Sequence, residues 1–151
     1  MRRVISGVLA TVFAAAALVA GSGTASADWT FPPGQTGSTC TSPEYLPGST
    51  SRYWTTCVHV TPTEVYFTMN FSNYGGSPWL IEVALNMYTV NSGTQQGCNP
   101  FFNFTVPTSS TWTTPASNCT VPRQIATYQG RGFVAIGNLY RDRYNVPVHA
   151  Q

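Results

Sequence analysis

From Arg52 to Asn73 apolar and polar residues alternate on either side of one break, Thr61-Pro62-Thr63-Glu64. Period-two alternation sends every second side chain to one face of a strand. Pro62 supplies the fixed φ that a tight turn needs at its second position. The pattern predicts an antiparallel hairpin with Val60 opposite Val65. In that register Val58 faces Phe67, Thr56 faces Met69 and Trp54 faces Phe71, an almost wholly apolar side. Tyr53, Thr55, Cys57 and His59 then meet Ser72, Asn70, Thr68 and Tyr66 on the polar side. Alternation alone therefore places His59 beside Tyr66, as a hairpin pair and not as a reactive centre.

The same punctuation runs to the end of the chain. After the turn signal "NYGGSPW", Trp79, Ile81, Val83, Leu85 and Met87 alternate on one face, and "NSGTQQG" breaks the chain again. Phe102, Phe104 and Val106 predict a short strand before Pro107, and Trp112 lies in another. Val121 to Tyr128 and Phe133 to Tyr140 are expected to pair around a turn at "QGRG". Tyr144 to Val148 reads as a final edge strand, because a Pro within a strand suits only an edge. The Pro-, Gly-, Ser- and Thr-rich stretch 28–51 reads as an irregular N-terminal arm, and 52–151 as a single β domain. About seven short strands in one chain of this size predict an all-β, antiparallel sandwich, with an immunoglobulin-like arrangement among the candidates and a small β-barrel as the alternative. The position two before Cys119 holds Ser117, where the immunoglobulin fold places a tyrosine.

The first 27 residues stand apart. Arg2 and Arg3, an apolar run from Val4 to about Ala20 and the close Ala25-Ser26-Ala27 form an export signal with its cleavage pattern. The run is short and Ala-rich for a membrane span, so no membrane association is expected once it is removed. Its loss changes the charge. The formal net charge of +2 falls to zero, with Arg52, Arg123, Arg131, Arg141 and Arg143 against Asp28, Glu44, Glu64, Glu82 and Asp142. A neutral, lysine-free chain has no basic footprint for nucleic acid. Its surface must instead rely on Thr, Ser, Asn, Gln and Gly.

Four cysteines in an exported chain predict two disulfides. Of the three pairings, Cys40 with Cys57 and Cys98 with Cys119 each close a local loop, and each bridge would contribute about 3 kcal/mol by restricting the unfolded chain. The C-x-x-C spacing of a metal site does not occur, and the sequence calls for neither metal nor cofactor. The stretches "YWTTC", "WLIEVAL", "TPASNC" and "YQGRG", behind an Ala-rich signal, resemble the small secreted β-sandwich proteins of actinobacteria. That resemblance implies secretion and a sandwich fold, and it implies no activity.

No nucleophile elbow, zinc-protease helix, phosphate loop or dinucleotide fingerprint occurs in the chain. The hydrolytic alternative is His59 with a nearby carboxylate, with Glu44, Glu64 and Glu82 as the glutamates on offer; His149 reads as part of a tail. Aromatic residues are more plentiful than the core requires. Binding through them is the favoured reading, since such rings join apolar area to a hydrogen-bonding edge. The candidate contact residues are Arg52, Tyr53, Tyr74, Tyr128 and Tyr140. The expected partner is an extracellular glycan or protein, and an enzyme inhibitor presenting Arg52 and Tyr53 is a further alternative. "YRDRY" at Tyr140 to Tyr144 reads as a solvated turn.

Overall fold

The computed structural model describes residues 29–89, 94–96, 98, 102–144 and 147–151; the expected export signal, residues 1–27, lies outside them. Thirteen strands are described. The first five are β1 (Trp29–Phe31), β2 (Gly37–Cys40), β3 (Glu44–Tyr45), β4 (Arg52–Val60) and β5 (Glu64–Asn73). Then come β6 (Trp79–Thr89), β7 (Thr94–Gln96), β8 (Phe102–Val106) and β9 (Ser110–Thr113). The last are β10 (Thr120–Pro122), β11 (Ala126–Ile136), β12 (Leu139–Tyr144) and β13 (Val148–Ala150). They form two sheets packed face to face, a sandwich and not a barrel. One has the order β10-β5-β4-β2, with β3 also beside β4 and β9 beside β5. The other has the order β1-β13-β11-β6-β7, with β12 also beside β11 and β8 beside β6.

The β4–β5 hairpin has the register that alternation predicts, from Val60 opposite Val65 to Tyr53 opposite Ser72. Its apolar face, Trp54, Val58, Phe67, Met69 and Phe71, packs on Trp79, Ile81, Val83, Leu85 and Met87 of β6 to make the core. Phe71 meets the Trp79 ring edge-on, with centroids 6.0 Å apart, an arrangement that aromatic quadrupoles favour. Both expected disulfides are present. Cys40 and Cys57 are directly opposed on β2 and β4. The adjacent pair carries the hydrogen bond from Thr41 N to Thr56 O, so the cysteines occupy the closely spaced, non-hydrogen-bonded position.

Four expectations are corrected. The stretch 28–51 is not wholly irregular: among its described residues β1 pairs parallel with β13, and β2 and β3 pair with β4, with turns and loops between them. These strands have two to four residues, and pairing with a neighbouring strand, not their own composition, holds them in place. "QGRG" is not a turn but the middle of the eleven-residue β11. A Cβ on Gly130 would come within 2.1 Å of the Phe67 ring, and one on Gly132 within 2.6 Å of the Met69 sulfur. The glycines therefore allow close approach of the two sheets. The chain turns instead at Gly137-Asn138, with Gly137 at φ +58° and Ile136 opposite Leu139, a two-residue hairpin connection. Tyr140 to Tyr144 consequently lies in β12 and not in a turn. The last strand is β13, beyond Pro147, and it is internal, bonded to β1 on one side and β11 on the other.

Two polar side chains, half-buried Arg123 and buried Asn73, fasten the ends of the sandwich. Arg123, just after β10, donates from its two terminal nitrogens to the carbonyl oxygens of Phe31, Pro32, Gln35, Thr61 and Gln151, all at 2.7–2.8 Å. It thus ties three chain segments together. At the opposite end of β5, fully buried Asn73 donates to the carbonyls of Ser77, Val106 and Pro107. Its Oδ1 accepts from Gly75 N and Arg52 Nε.

Replacing Gly130 by Ala forces either the Phe67 ring or strand β11 to move. Gly130→Ala is expected to lower the unfolding free energy by about 1–3 kcal/mol, the usual cost of overpacking, read as a lower urea midpoint at unchanged slope. Wild-type stability in this variant would show that the sheets do not touch there.

Candidate binding face

The outer face of the six-stranded sheet is built by the hairpin's polar positions. Tyr45 of β3 lies opposite Tyr53 of β4, and their ring centroids are 5.2 Å apart. Tyr74, the residue after β5, places its ring 6.3 Å from that of Tyr53. The three phenols form a row across the strands. Tyr45 and Tyr74 are 51% and 57% exposed, and Tyr53 between them is half-buried. The backbone under the row is fixed: Leu46 N bonds Arg52 O, Ser49 N bonds Leu46 O, and Tyr74 N bonds Ser51 O. Gly48, at φ +77°, lets the chain turn between Tyr45 and Tyr53.

Arg52 adjoins the row but is committed elsewhere. Its Nε donates to Asn73 Oδ1, and one terminal nitrogen donates to both the carbonyl and the hydroxyl of Ser77 at 2.7 Å. The guanidinium braces the loop after β5. That geometry gives no support to a protruding inhibitory arginine.

Between the tyrosines and the hairpin turn, where exposed Glu64 shares the parity of Tyr66 and Thr68, the face is uncharged. Thr113 donates to Asn70 Oδ1, and the Asn70 amide donates to Thr55 Oγ1 and Cys57 Sγ. At the far end His59 stacks on Tyr66, with centroids 4.5 Å apart and planes 13° from parallel, and its Nε2 shares a hydrogen bond with Thr68 Oγ1. Burial pushes the imidazole below its ordinary pKa. Its partners are a hydroxyl and a phenol ring. The three glutamates are dispersed: Glu44 on β3, Glu64 at the hairpin turn and Glu82 on the other sheet. Among the described residues no three His, Cys, Asp or Glu side chains gather to hold a metal ion.

The five residues expected to bind are thus divided. Tyr53 and Tyr74 come together with Arg52 alongside. Tyr128 is removed from the surface: 1% exposed, it shares inner-face parity with Gly130 and Gly132, and its hydroxyl accepts from Gln124 N. The physical reason is the continuity of β11 through "QGRG". Tyr140 is 61% exposed but belongs to the seven-stranded sheet, where its ring lies 5.7 Å from Phe133. Tyr45 completes the row and was not among the five. Its place depends on the two-residue β3, which carries no alternation to read.

Because the folded protein disfavours protonated His59, the unfolded chain binds more protons once the pH falls below about 6.5. Stability is therefore expected to be full above that value and to decline as the pH falls toward the lowered folded pKa. His59→Gln should flatten this slope in thermal melts between neutral and mildly acidic pH. An unchanged slope would place the proton uptake on another group.

No protein-family model matches the chain, and no curated protein matches it.

Proposed function

We propose that this protein is a secreted binding module and that its ligand is an uncharged extracellular glycan held on Tyr45, Tyr53 and Tyr74. The row of partly exposed phenols carries the reading. A phenol offers an apolar face to the C–H side of a sugar ring and a hydroxyl to its edge. Three of them in line match an extended chain lying across the strands better than a compact ligand. The neighbouring side chains are hydroxyls and an amide, and the nearest cation, Arg52, is held by Asn73 and Ser77. Nothing in the row favours an acidic or a basic partner over a neutral one.

Secretion is supported by the export pattern of residues 1–27 and by two disulfides, which persist in oxidising compartments. Among the described residues no helix is long and apolar enough to cross a membrane.

In titrations against neutral oligosaccharides, each of Tyr45→Ala, Tyr53→Ala and Tyr74→Ala is expected to weaken binding by roughly tenfold, equivalent to about 1.4 kcal/mol. Added salt should leave the Kd unchanged, since no ion pair forms. Strong salt dependence, or binding that survives all three substitutions, would overturn the tyrosine row as the site. Binding to a protein but to no glycan would leave the row as an interface and remove the proposed ligand class.

A further inference from the structure

The geometry points to a second ligand site on the opposite side of the sandwich: a shallow trough on the outer face of the seven-stranded sheet that takes a hydroxyl-rich glycan through Glu82, Asn103 and the Phe133–Tyr140 ring pair. None of these residues belongs to the tyrosine row. The inference shares with the proposed function only the ligand class.

The trough follows from side-chain size on an alternating pattern. Trp79, Ile81 and Val83 point into the core, so Leu80, Glu82 and Ala84 point out. Register aligns Asn103 of β8, Glu82 of β6, Ala135 of β11 and Tyr140 of β12 in one row across four strands. The next row contains Ala84 beside Phe133. Two alanines on a face otherwise occupied by long side chains leave a hollow. A depression of about 300 Å³ is lined by Leu80, Ile81, Glu82, Asn103, Ala135 and Gly137. A smaller one of about 170 Å³ continues along the same two strands beside Ala84, Asn86, Arg131 and Phe133. The larger lies at the lower end of ligand-pocket volumes, the size of a short saccharide.

Its chemistry is specific in kind. Glu82 is exposed and has no hydrogen-bond or ion-pair partner among the described residues, so both carboxylate oxygens are open to accept. Asn103 beside it carries an amide that both donates and accepts, and it too is exposed. Across Ala135 stands the exposed Tyr140 ring, tilted 32° from that of Phe133. A carboxylate taking protons from neighbouring hydroxyls, an amide between them and an aromatic wall against the C–H face together meet the needs of a sugar. The carboxylate disfavours a uronate or sulfated chain. With the tyrosine row on the other outer face, one molecule then engages two chains at once, and long polymers are cross-linked.

The test uses the disulfide-intact protein, a panel of neutral gluco-, manno-, xylo- and galacto-oligosaccharides for calorimetry, and the corresponding soluble polymers for turbidity. One variant pair, Glu82→Gln with Tyr140→Ala, addresses the trough; the other, Tyr53→Ala with Tyr74→Ala, addresses the row. Glu82 and Tyr140 are exposed, and unchanged thermal melts and near-ultraviolet spectra control for folding. The expected result is two saturable sites in the wild type and turbidity with the long polymer. The trough variant should lose one site by a roughly tenfold or greater weakening and abolish turbidity, while the row's Kd stays as it was. A single wild-type site that is insensitive to the trough variant overturns the second site and leaves the row intact. A single site lost only in the trough variant overturns the row and keeps the trough. Absence of binding by the wild type across the panel overturns both.

Discussion

The architecture turns on the contact between β11 and the β4–β5 hairpin, where Gly130 and Gly132 receive the Phe67 ring and the Met69 side chain. A Cβ would stand 2.1 Å from the Phe67 ring at Gly130 and 2.6 Å from the Met69 sulfur at Gly132, so any other residue type forces a side chain or strand to shift. With the sheets this close, the inner-face residues Tyr128 and Val134 interlock with those of β4, β5 and β6 into one apolar cluster. Close packing of that kind leaves little room for rearrangement. Both outer faces are thereby left as broad surfaces on rigid strands, a suitable support for side chains that bind by shape.

Buried Asn73 and half-buried Arg123 hold main chain. Arg123 satisfies five carbonyl oxygens, and Asn73 satisfies three and accepts from two donors. An arginine used in this way keeps its charge from becoming a surface feature, and buried carbonyls that would otherwise lose their water partners are bonded. Arg52 acts similarly at the other end. The neutrality of the tyrosine face is thus a consequence of where the cations are anchored as well as of a sequence poor in charge.

The hairpin register and both disulfides were legible in the sequence, because long alternating strands and a Pro-centred turn leave one consistent pairing. β8 and β9 were legible from Phe102, Phe104 and Trp112, whose rings meet across the edges of the two sheets, with Phe104 stacked on Trp112. What escaped were features that depend on a distant partner. β1 and β3 are too short for a period and exist by pairing with β13 and β4. The two glycines of "QGRG" have the composition of a turn, and only the facing Phe67 and Met69 reveal them as contact points. That one misreading accounts for Tyr128 as well, since ending a strand at Tyr128 exposes a side chain that the continuous strand buries. The tyrosine row was half visible for the same reason: two members flank the hairpin, and the third arrives on β3.

The parallel pair β1–β13 brings residues 29–31 beside 148–150, and Gln151 N bonds Phe31 O. Arg123 clamps the same pole, next to the β4–β5 turn, whereas the tyrosine row sits at the other end of β4. A pull applied through residues 29 and 151 would load β1 and β13 in shear, straining several hydrogen bonds together instead of one after another. The tyrosines lie away from that line of force. Mechanical tension would be borne by the clamped pole and would bypass the pole that carries the tyrosines.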